Sequence, residues 1–527
     1  MLFDRTFHPD EANQAFTTGR LLETGQYAYR PDDHHGPTLY YAAAALQKAT
    51  GHETLAAMDG TLLRCTPLVF AVLGLVFGFL SLRRLLKPIG ESIGWLVPSL
   101  FILLLGTSPI FAFFATDFIQ EMLLACFTLM MLWAGTGYIL PGAKWKTGTW
   151  AIFFGTAAAL AFATKETCVL AFAAAGFAAV PFLAKRLNVG ALRLRTRDIV
   201  LAVLGFAIIA CILYSDFGRD FHGVINAFIA APFSYFGRAA GAASSAGAAD
   251  HVHPWWQYLR WLFCDEYGVF AFFIACGTGM GLFAHFVWQK TRPAAREKAG
   301  PALLRAFLFT QAYALLLLLF YSLIPYKTPW CALQIHTGLL VAALLGFAVA
   351  SHVFTVCLQS HSRLLKALGA LPLAIASLVL ILGNGRQLVR MGRDPDSKEI
   401  PYNYASASPE VRQLAATVAD AIAACDGQTI NRPPFVAVAL PPADTWPFPW
   451  YNRPHERQTG YWTSFDDLKQ IAAAGIKPTA VIVPKEEGHL VQTIFPHLTH
   501  TKRFYMRPGA LNQEGKMRGG VRVRVFW

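Results

Sequence analysis

Charge is scarce in this chain. Asp, Glu, Lys and Arg supply 15% of its 527 residues, against 55% hydrophobic residues and a mean hydropathy of +0.40. Soluble domains carry roughly 25% charged residues, so this balance excludes an ordinary soluble globule and indicates a polytopic membrane protein. Patterned cysteine is also missing. The nine cysteines show no paired or metal-type spacing, and Cys65, Cys126, Cys168, Cys211, Cys276 and Cys357 fall inside apolar runs. Neither a disulfide framework nor a zinc site is indicated, and these residues read as small core side chains. The apolar runs are preceded by no cleavable signal peptide. Gly277-Thr278-Gly279-Met280-Gly281 lies within one of them, so it reads as close helix packing and not as a nucleotide-binding loop.

Apolar stretches of roughly 17–25 residues, long enough to cross a bilayer, number about ten. They run Leu63 to Leu82, Ile93 to Phe114, Phe118 to Leu140, Thr149 to Thr164, Thr167 to Leu183, Ile199 to Phe217, Tyr267 to Trp288, Leu303 to Ile324, Leu333 to Leu358 and Leu365 to Leu382. Acids are nearly absent from alternate connections. One set holds 17 basic residues and only Glu91, Asp198 and Glu297, whereas the N-terminal segment and the other connections hold 10 basic and 16 acidic residues. Basic loops stay in the cytoplasm, which places the N-terminal segment and the C-terminal tail outside. The net charge of +13 thus reflects topology, and nothing here calls for a nucleic-acid partner.

Three parts follow: an outer N-terminal segment (1–62), a membrane domain (63–383) and an outer tail (384–527). In the first, Pro37 to Ala49 has the pattern of an amphipathic helix lying on the membrane. The Gly218 to Glu266 loop contains a Gly/Ala/Ser-rich linker, Ala239 to Ala249, and an interfacial aromatic anchor, His251 to Trp256. In the tail, Pro409 to Cys425 and Ser464 to Ala474 read as helices, and Phe435 to Leu440, Ala480 to Pro484 and Val521 to Phe526 as strands, giving a small α/β domain.

The polar residues that remain are concentrated. His8-Pro9-Asp10-Glu11 puts two carboxylates just ahead of the spans, where a charge usually has a function, and His34-His35-Gly36-Pro37 adds a basic cluster. Together they suit a reaction at a phosphate-bearing lipid. Sugar transfer from a lipid phosphate needs a base for the acceptor proton and a positive environment for the leaving phosphate. Asp10 is the candidate base, with Glu11 as its neighbour; the competing reading makes Asp10 an N-cap ahead of Ala12 to Leu22. His35, Lys165 and Lys327 are candidate phosphate contacts, and the alternative for the lysines is snorkelling to headgroups. Asp117 and Glu121, spaced to share one helical face, are candidates to hold an acceptor or a metal, as is Glu266; a helix-dipole role competes. His34 is a candidate metal ligand. In the tail, Trp446, Phe448, Trp450 and Tyr451 form an aromatic loop suited either to stacking on sugars or to packing the tail onto the membrane domain.

The acidic pair, the Gly-Pro-X-Leu-Tyr-Tyr segment, the acid of the next outer loop and the many spans resemble the GT-C glycosyltransferases. Within them the chain is similar to family 39, the protein O-mannosyltransferase and aminoarabinose transferase group. His-His-Gly-Pro, Tyr-Lys-Thr-Pro-Trp (326–330) and Trp-Pro-Phe-Pro-Trp-Tyr resemble the branch often labelled flippase-activity-associated membrane proteins. The resemblance implies metal-assisted or metal-free inverting transfer from a polyprenyl-phosphate sugar to a glycan, lipid or protein acceptor, a divalent metal ion being the cofactor it leaves open. By matching position it implies Asp10 as base, Glu11 as partner and Asp117 as the second-loop acid. His35 stands where the family has a phosphate-contacting lysine, and His34 near an acidic metal ligand. A transmembrane helix is implied before the acidic pair, where this sequence has Met1 to Phe7; either the start is assigned late or that helix is lacking. The expected protein is a membrane glycosyltransferase of the inner membrane, acting at its outer face. A flippase or transporter component for lipid-linked sugars is the rival, and a non-catalytic envelope scaffold a third reading; a transporter places polar groups near the bilayer midplane, where these spans carry almost none.

Overall fold

The computed structural model describes residues 2–31, 35–140, 145–183, 195–239, 251–263, 268–291, 299–357, 363–397, 400–404, 406–426, 433–507 and 521–527. His34, Glu266 and the linker at 240–249 lie outside the described residues. Two N-terminal helices, α1 (Pro9–Thr24) and α2 (Thr38–Ala49), precede a membrane bundle of α3 (Gly60–Leu86), α4 (Glu91–Gly106), α5 (Pro109–Phe114), α6 (Glu121–Ile139), α7 (Thr147–Phe162), α8 (Cys168–Leu183) and α9 (Thr196–Tyr214). Short helices α10 (Phe221–Ile225), α11 (Ala231–Ala239) and α12 (Gln257–Phe263) lead to α13 (Val269–Thr291), α14 (Ala299–Leu323), α15 (Ala332–Cys357) and α16 (Arg363–Arg393). Among the described residues, seven helices are long and apolar enough to cross a membrane, and three shorter ones, Glu91–Gly106, Thr147–Phe162 and Cys168–Phe182, are strongly apolar. The protein is a multi-pass membrane protein. Ile199, Val203, Leu204 and Ile208 of α9 point outward and exposed, as a lipid-facing surface requires.

Helix contacts in the bundle depend on small residues, because lipid supplies no hydrophobic force between apolar helices. A side chain at Gly277 of α13 would lie 2.6 Å from the carbonyl oxygen of Ala343 in α15, and one at Gly281 2.8 Å from the Cα of Gly346. The glycine run is therefore packing, as its position in an apolar stretch implies.

Two departures from the sequence pattern shape the end of the bundle that carries the N-terminal segment. The stretch Ile93 to Phe114 is not one helix: it breaks at Ser108, which is extended (φ −66°, ψ 129°), because Pro109 disfavours helical backbone before it. The break turns α5 and the 115–120 connection onto the N-terminal segment. The second concerns α1, whose N-cap is His8 and not Asp10: His8 Nδ1 accepts the Asp10 N–H, and Glu11 accepts the His8 N–H at 3.0 Å. That reciprocal capping, with Pro9 in the first turn, starts the helix earlier than its apolar pattern does. α2 is more than a surface helix, since Thr38, Leu39, Tyr40, Ala43 and Gln47 are buried.

The tail begins with α17 (Glu410–Asp426) and contains β1 (Val436–Ala439), β2 (Thr459–Trp462), β3 (Ala480–Pro484), β4 (Thr501–Arg507) and β5 (Val521–Phe526), ordered β2-β1-β3-β5-β4. The first three run parallel, and β5 is antiparallel to both β3 and β4. Alternation decides the faces: Val436, Val438 and Ile482 pack with α17, while Ala437, Ala439, Val481 and Val483 pack with Phe465, Leu468 and Val491. β2 and β4 escape sequence pattern because they are edge strands, and β4 carries exposed Lys502 and Arg503, which protect an edge.

The aromatic loop of the tail covers the N-terminal segment. Trp450, 2% exposed, stacks on Phe7 with ring centroids 4.7 Å apart; the Phe7 N–H donates to the Tyr451 hydroxyl at 2.8 Å; and Trp446 meets Phe16 edge-on at 5.3 Å. Arg453 lies over Trp450 and donates to the Met58 carbonyl at 2.8 Å. Phe448 and Trp450 are buried, and Trp450 is stacked on Phe7, which favours packing over stacking on sugars for these two rings; Trp446 and Tyr451 are half-buried. Trp450→Ala is expected to weaken tail docking by about 3–5 kcal/mol, the usual cost of truncating a buried Trp, read as faster proteolytic release of the tail; unchanged protease resistance refutes the assignment.

Candidate functional site

A buried cation organises the site, and no sequence motif announces it. Arg64, in the first turns of α3, is 0% exposed. The Asp59 carboxylate caps α3 through the Thr61 and Leu62 N–H groups and so fixes where Arg64 stands. Its guanidinium donates to both oxygens of Glu11, Nε to Oε1 at 2.8 Å and Nη2 to Oε2 at 2.6 Å, and Nη1 donates to the carbonyls of Phe3 and Arg5. Glu11 also accepts the Phe118 N–H at 2.9 Å. Burial opposes a charge on Glu11, but Arg64 outweighs it and brings the carboxyl down to about 2.

Arg5 forms the second pair. It is 3% exposed, lies over the Phe113 ring at 3.8 Å, and donates through Nη2 to the Thr116 carbonyl at 3.0 Å and to Asp117 Oδ1 at 3.3 Å. Burial, and then the neighbouring Glu11, hold the Asp117 carboxyl well above the usual range. Asp117 and Glu121 do not share a helix face as their spacing suggests, because α6 begins only at Glu121. Asp117 turns to Arg5, and Glu121 pairs with Lys165.

Asp10 stands apart. Its side chain is 51% exposed, with His8 Nδ1 3.7 Å from its carboxylate. It lines a cleft together with Arg5, Thr6, Asp117, Trp330, Tyr402 and Asn403. Trp330, from the Tyr-Lys-Thr-Pro-Trp turn, meets His8 edge-on at 5.8 Å and lies 6.0 Å from the Lys165 ammonium, so it joins the acidic cleft to the basic side.

The basic side is built by a backbone approach. A side chain at Gly36 would lie 2.2 Å from the Ala163 carbonyl oxygen, so only glycine lets residues 35–38 dock on the turn after α7. There the Thr38 N–H donates to Ala163, and His35 Nδ1 lies 2.8 Å from Glu166 Oε2, whose other oxygen accepts from the Tyr29 hydroxyl. Lys165, 6% exposed, bonds Glu121; burial disfavours its charge, but the Glu121 carboxylate raises its pKa. It is thus no headgroup anchor. Lys327 is placed differently from the exposed interfacial cation expected. It is 1% exposed, and its ammonium donates to the carbonyls of His253 and Ile324 at the end of α14. With its N–H on the His251 carbonyl, it staples residues 251–253 to the turn; burial lowers its pKa.

The structure brings Asp10, His35 and Lys165, singled out in the sequence, together with Arg5, Arg64, Glu166 and Trp330, which sequence reasoning does not single out as site residues. Trp330 belongs to the quoted Tyr-Lys-Thr-Pro-Trp motif and Glu166 follows Lys165, whereas Arg64 inside an apolar span is a charge whose cost is itself a signal. Glu11→Gln is expected to cost about 3–5 kcal/mol, because it leaves Arg64 buried without its counter-charge; thermal unfolding in micelles measures it, and an unshifted transition refutes it. The Glu11 contribution is complete above 4.5, its ordinary value, and is lost as pH falls from there toward about 2. Acid unfolding is expected to lose that pH dependence in Glu11→Gln.

No family model and no curated protein sequence matches the chain. Solved structures do. ArnT from Cupriavidus metallidurans bound to undecaprenyl phosphate matches with a TM-score of 0.59 at 14% identity, over 99% of this chain and 94% of that one. The apo state of the same protein gives 0.56 at 14% identity, with the same coverage. The archaeal oligosaccharyltransferase AglB from Archaeoglobus fulgidus, in complex with an inhibitory peptide and a dolichol-phosphate, gives 0.52 at 11% identity, over 98% of this chain and 70% of that one. Both are GT-C glycosyltransferases, and the fold shared along nearly the whole chain, helical bundle and C-terminal tail together, is the GT-C fold.

Proposed function

We propose that the protein is a membrane glycosyltransferase that moves a sugar from a polyprenyl-phosphate donor to an envelope glycan, lipid or protein acceptor, at the outer face of the inner membrane. The observation that carries this reading is the difference between Asp10 and its neighbours. Glu11, Asp117, Glu121 and Glu166 each bond an arginine, lysine or histidine, whereas Asp10, at the rim of the cleft, has only His8 nearby among the described residues. A general base needs free lone pairs and access to a substrate hydroxyl, and Asp10 has both.

In the proposed step Asp10 takes the proton of the acceptor hydroxyl as the acceptor oxygen bonds to the sugar's anomeric carbon. The bond from that carbon to the phosphate oxygen breaks, and its electron pair leaves with the polyprenyl phosphate. His35 and the Lys165 ammonium, on the basic side of Trp330, are the groups proposed to receive the phosphate charge. The lipid phosphates held by ArnT and AglB in their solved structures support this class of donor. The outer placement rests on the charge asymmetry of the connections.

Asp10→Asn in lipid nanodiscs is expected to lose about 10²- to 10⁴-fold in turnover of polyprenyl-phosphate sugars, the usual contribution of a general base, with its thermal transition kept. Equal turnover removes Asp10 from the mechanism. A reporter fused after Gly383 is expected to read outside; a cytoplasmic reading overturns the assigned face.

A further inference from the structure

The GT-C resemblance leaves a divalent metal open, for which the acids are the candidate ligands. A hard divalent cation takes six or more oxygens and needs carboxylates with free lone pairs. Glu11 has none to give. Its Oε1 accepts from Arg64 Nε and the Phe118 N–H, and its Oε2 from Arg64 Nη2 and the His8 N–H, which fills the four sites of a carboxylate. Asp117 Oδ1 is taken by Arg5, whose guanidinium is closed in by the Phe113 ring. On the basic side, Glu166 is bound by His35 and Tyr29, and Glu121 by Lys165. Among the described residues no group of three His, Cys, Asp or Glu side chains could hold a metal ion. A metal at the acidic pair would have to break a bidentate Arg–carboxylate bond and stand beside two permanent positive charges.

We propose that Arg5 and Arg64 take the place of a divalent cation, so that this acidic cluster works without one, and that Arg5 makes the electrophilic contact to substrate. Arginine suits this because it stays charged under all conditions of interest and presents its N–H groups in a fixed fork. The two guanidiniums divide the work. Arg64 has its Nε, Nη1 and Nη2 committed to Glu11 and to the carbonyls of Phe3, Arg5 and Thr6, so it is the positioning residue that holds the acidic loop. Arg5 commits only Nη2. Its Nη1 is buried, has no hydrogen-bond partner among the described residues, and belongs to a side chain that lines the cleft with Asp10. An unpaired charged N–H in a buried place costs free energy unless something binds it, and the cleft gives a substrate oxygen that position. The part concerning substrate rests on the transferase reading; the part concerning metal does not.

The test uses the full chain in nanodiscs and Mn²⁺ as the probe, detected by electron paramagnetic resonance after chelation. Wild type and Asp117→Asn are expected to give the same Mn²⁺ signal, since Asp117 Oδ1 is taken by Arg5 and the charges of Arg5 and Arg64 stand beside the carboxyl. Mn²⁺ binding by wild type that Asp117→Asn weakens overturns the inference, whether or not transfer is ever observed. Arg5→Ala is expected to gain Mn²⁺ binding that is lost again in Arg5→Ala/Asp117→Asn, while Arg5→Lys stays closed. If Arg5→Ala does not fold, the comparison of wild type with Asp117→Asn decides alone. For turnover, chelator is expected to leave wild type unchanged, and Arg5→Ala to lose about 10²-fold or more, as for loss of one oxyanion donor. Loss of turnover on chelation with recovery in Mn²⁺ overturns the metal-free part, and unchanged turnover in Arg5→Ala overturns the substrate contact.

Discussion

The bond between Glu11 and Arg64 is the constraint from which the site-bearing end of the molecule is built. A guanidinium and a carboxylate that are both withdrawn from solvent stay charged only while they hold each other. That single pair links α1 to α3, and through the Phe118 N–H it links both to the connection before α6. The carbonyls of Phe3, Arg5 and Thr6 converge on the same guanidinium, so the first residues of the chain are wrapped around one side chain. Arg5 is thereby delivered to Asp117, and Phe7 to the tail.

The consequence is a division of labour among carboxylates that look alike in one dimension. Glu11 is a structural counter-ion and Asp10, the next residue back, is the accessible acid, because the first turn of α1 points the two in different directions. The turn is fixed by the capping exchange between His8 and Glu11, so the residue that anchors the helix is the paired, buried acid and its neighbour Asp10 is left exposed. Tail docking closes the arrangement from the other side: Trp450 and Tyr451 seal Phe7, and the Thr6 N–H is taken by Asp396, just after α16. The site is assembled from stretches far apart in sequence, residues 5–11, 35–38, 64, 117–121, 163–166 and 330.

Much of this was legible from the chain alone, and the reason is physical. Lipid excludes charge and unpaired backbone groups, so the helices that enter it must be long and apolar and their connections must carry the polar residues. The bundle and the position of the acidic pair are direct consequences, whereas the tail's central strands were legible from short apolar runs bounded by Pro and Gly. Gly36 was visible as part of a Gly-Pro motif, but the carbonyl of Ala163 that requires it was not, because close approach between backbones leaves no periodic trace.

Partnerships were decided only in three dimensions. Lys165 and Lys327 are both basic residues beside span ends, yet one meets a carboxylate and the other two backbone carbonyls. The aromatic loop suits a sugar or a protein surface equally well as a sequence, and the neighbouring Phe7 settles which faces are covered. Arg64 is the clearest instance. The sequence determines that a charge lies at the start of an apolar helix; that it must be neutralised follows from its burial, and that Glu11 neutralises it follows only from the fold, because pairing depends on which groups the helices bring within hydrogen-bond reach.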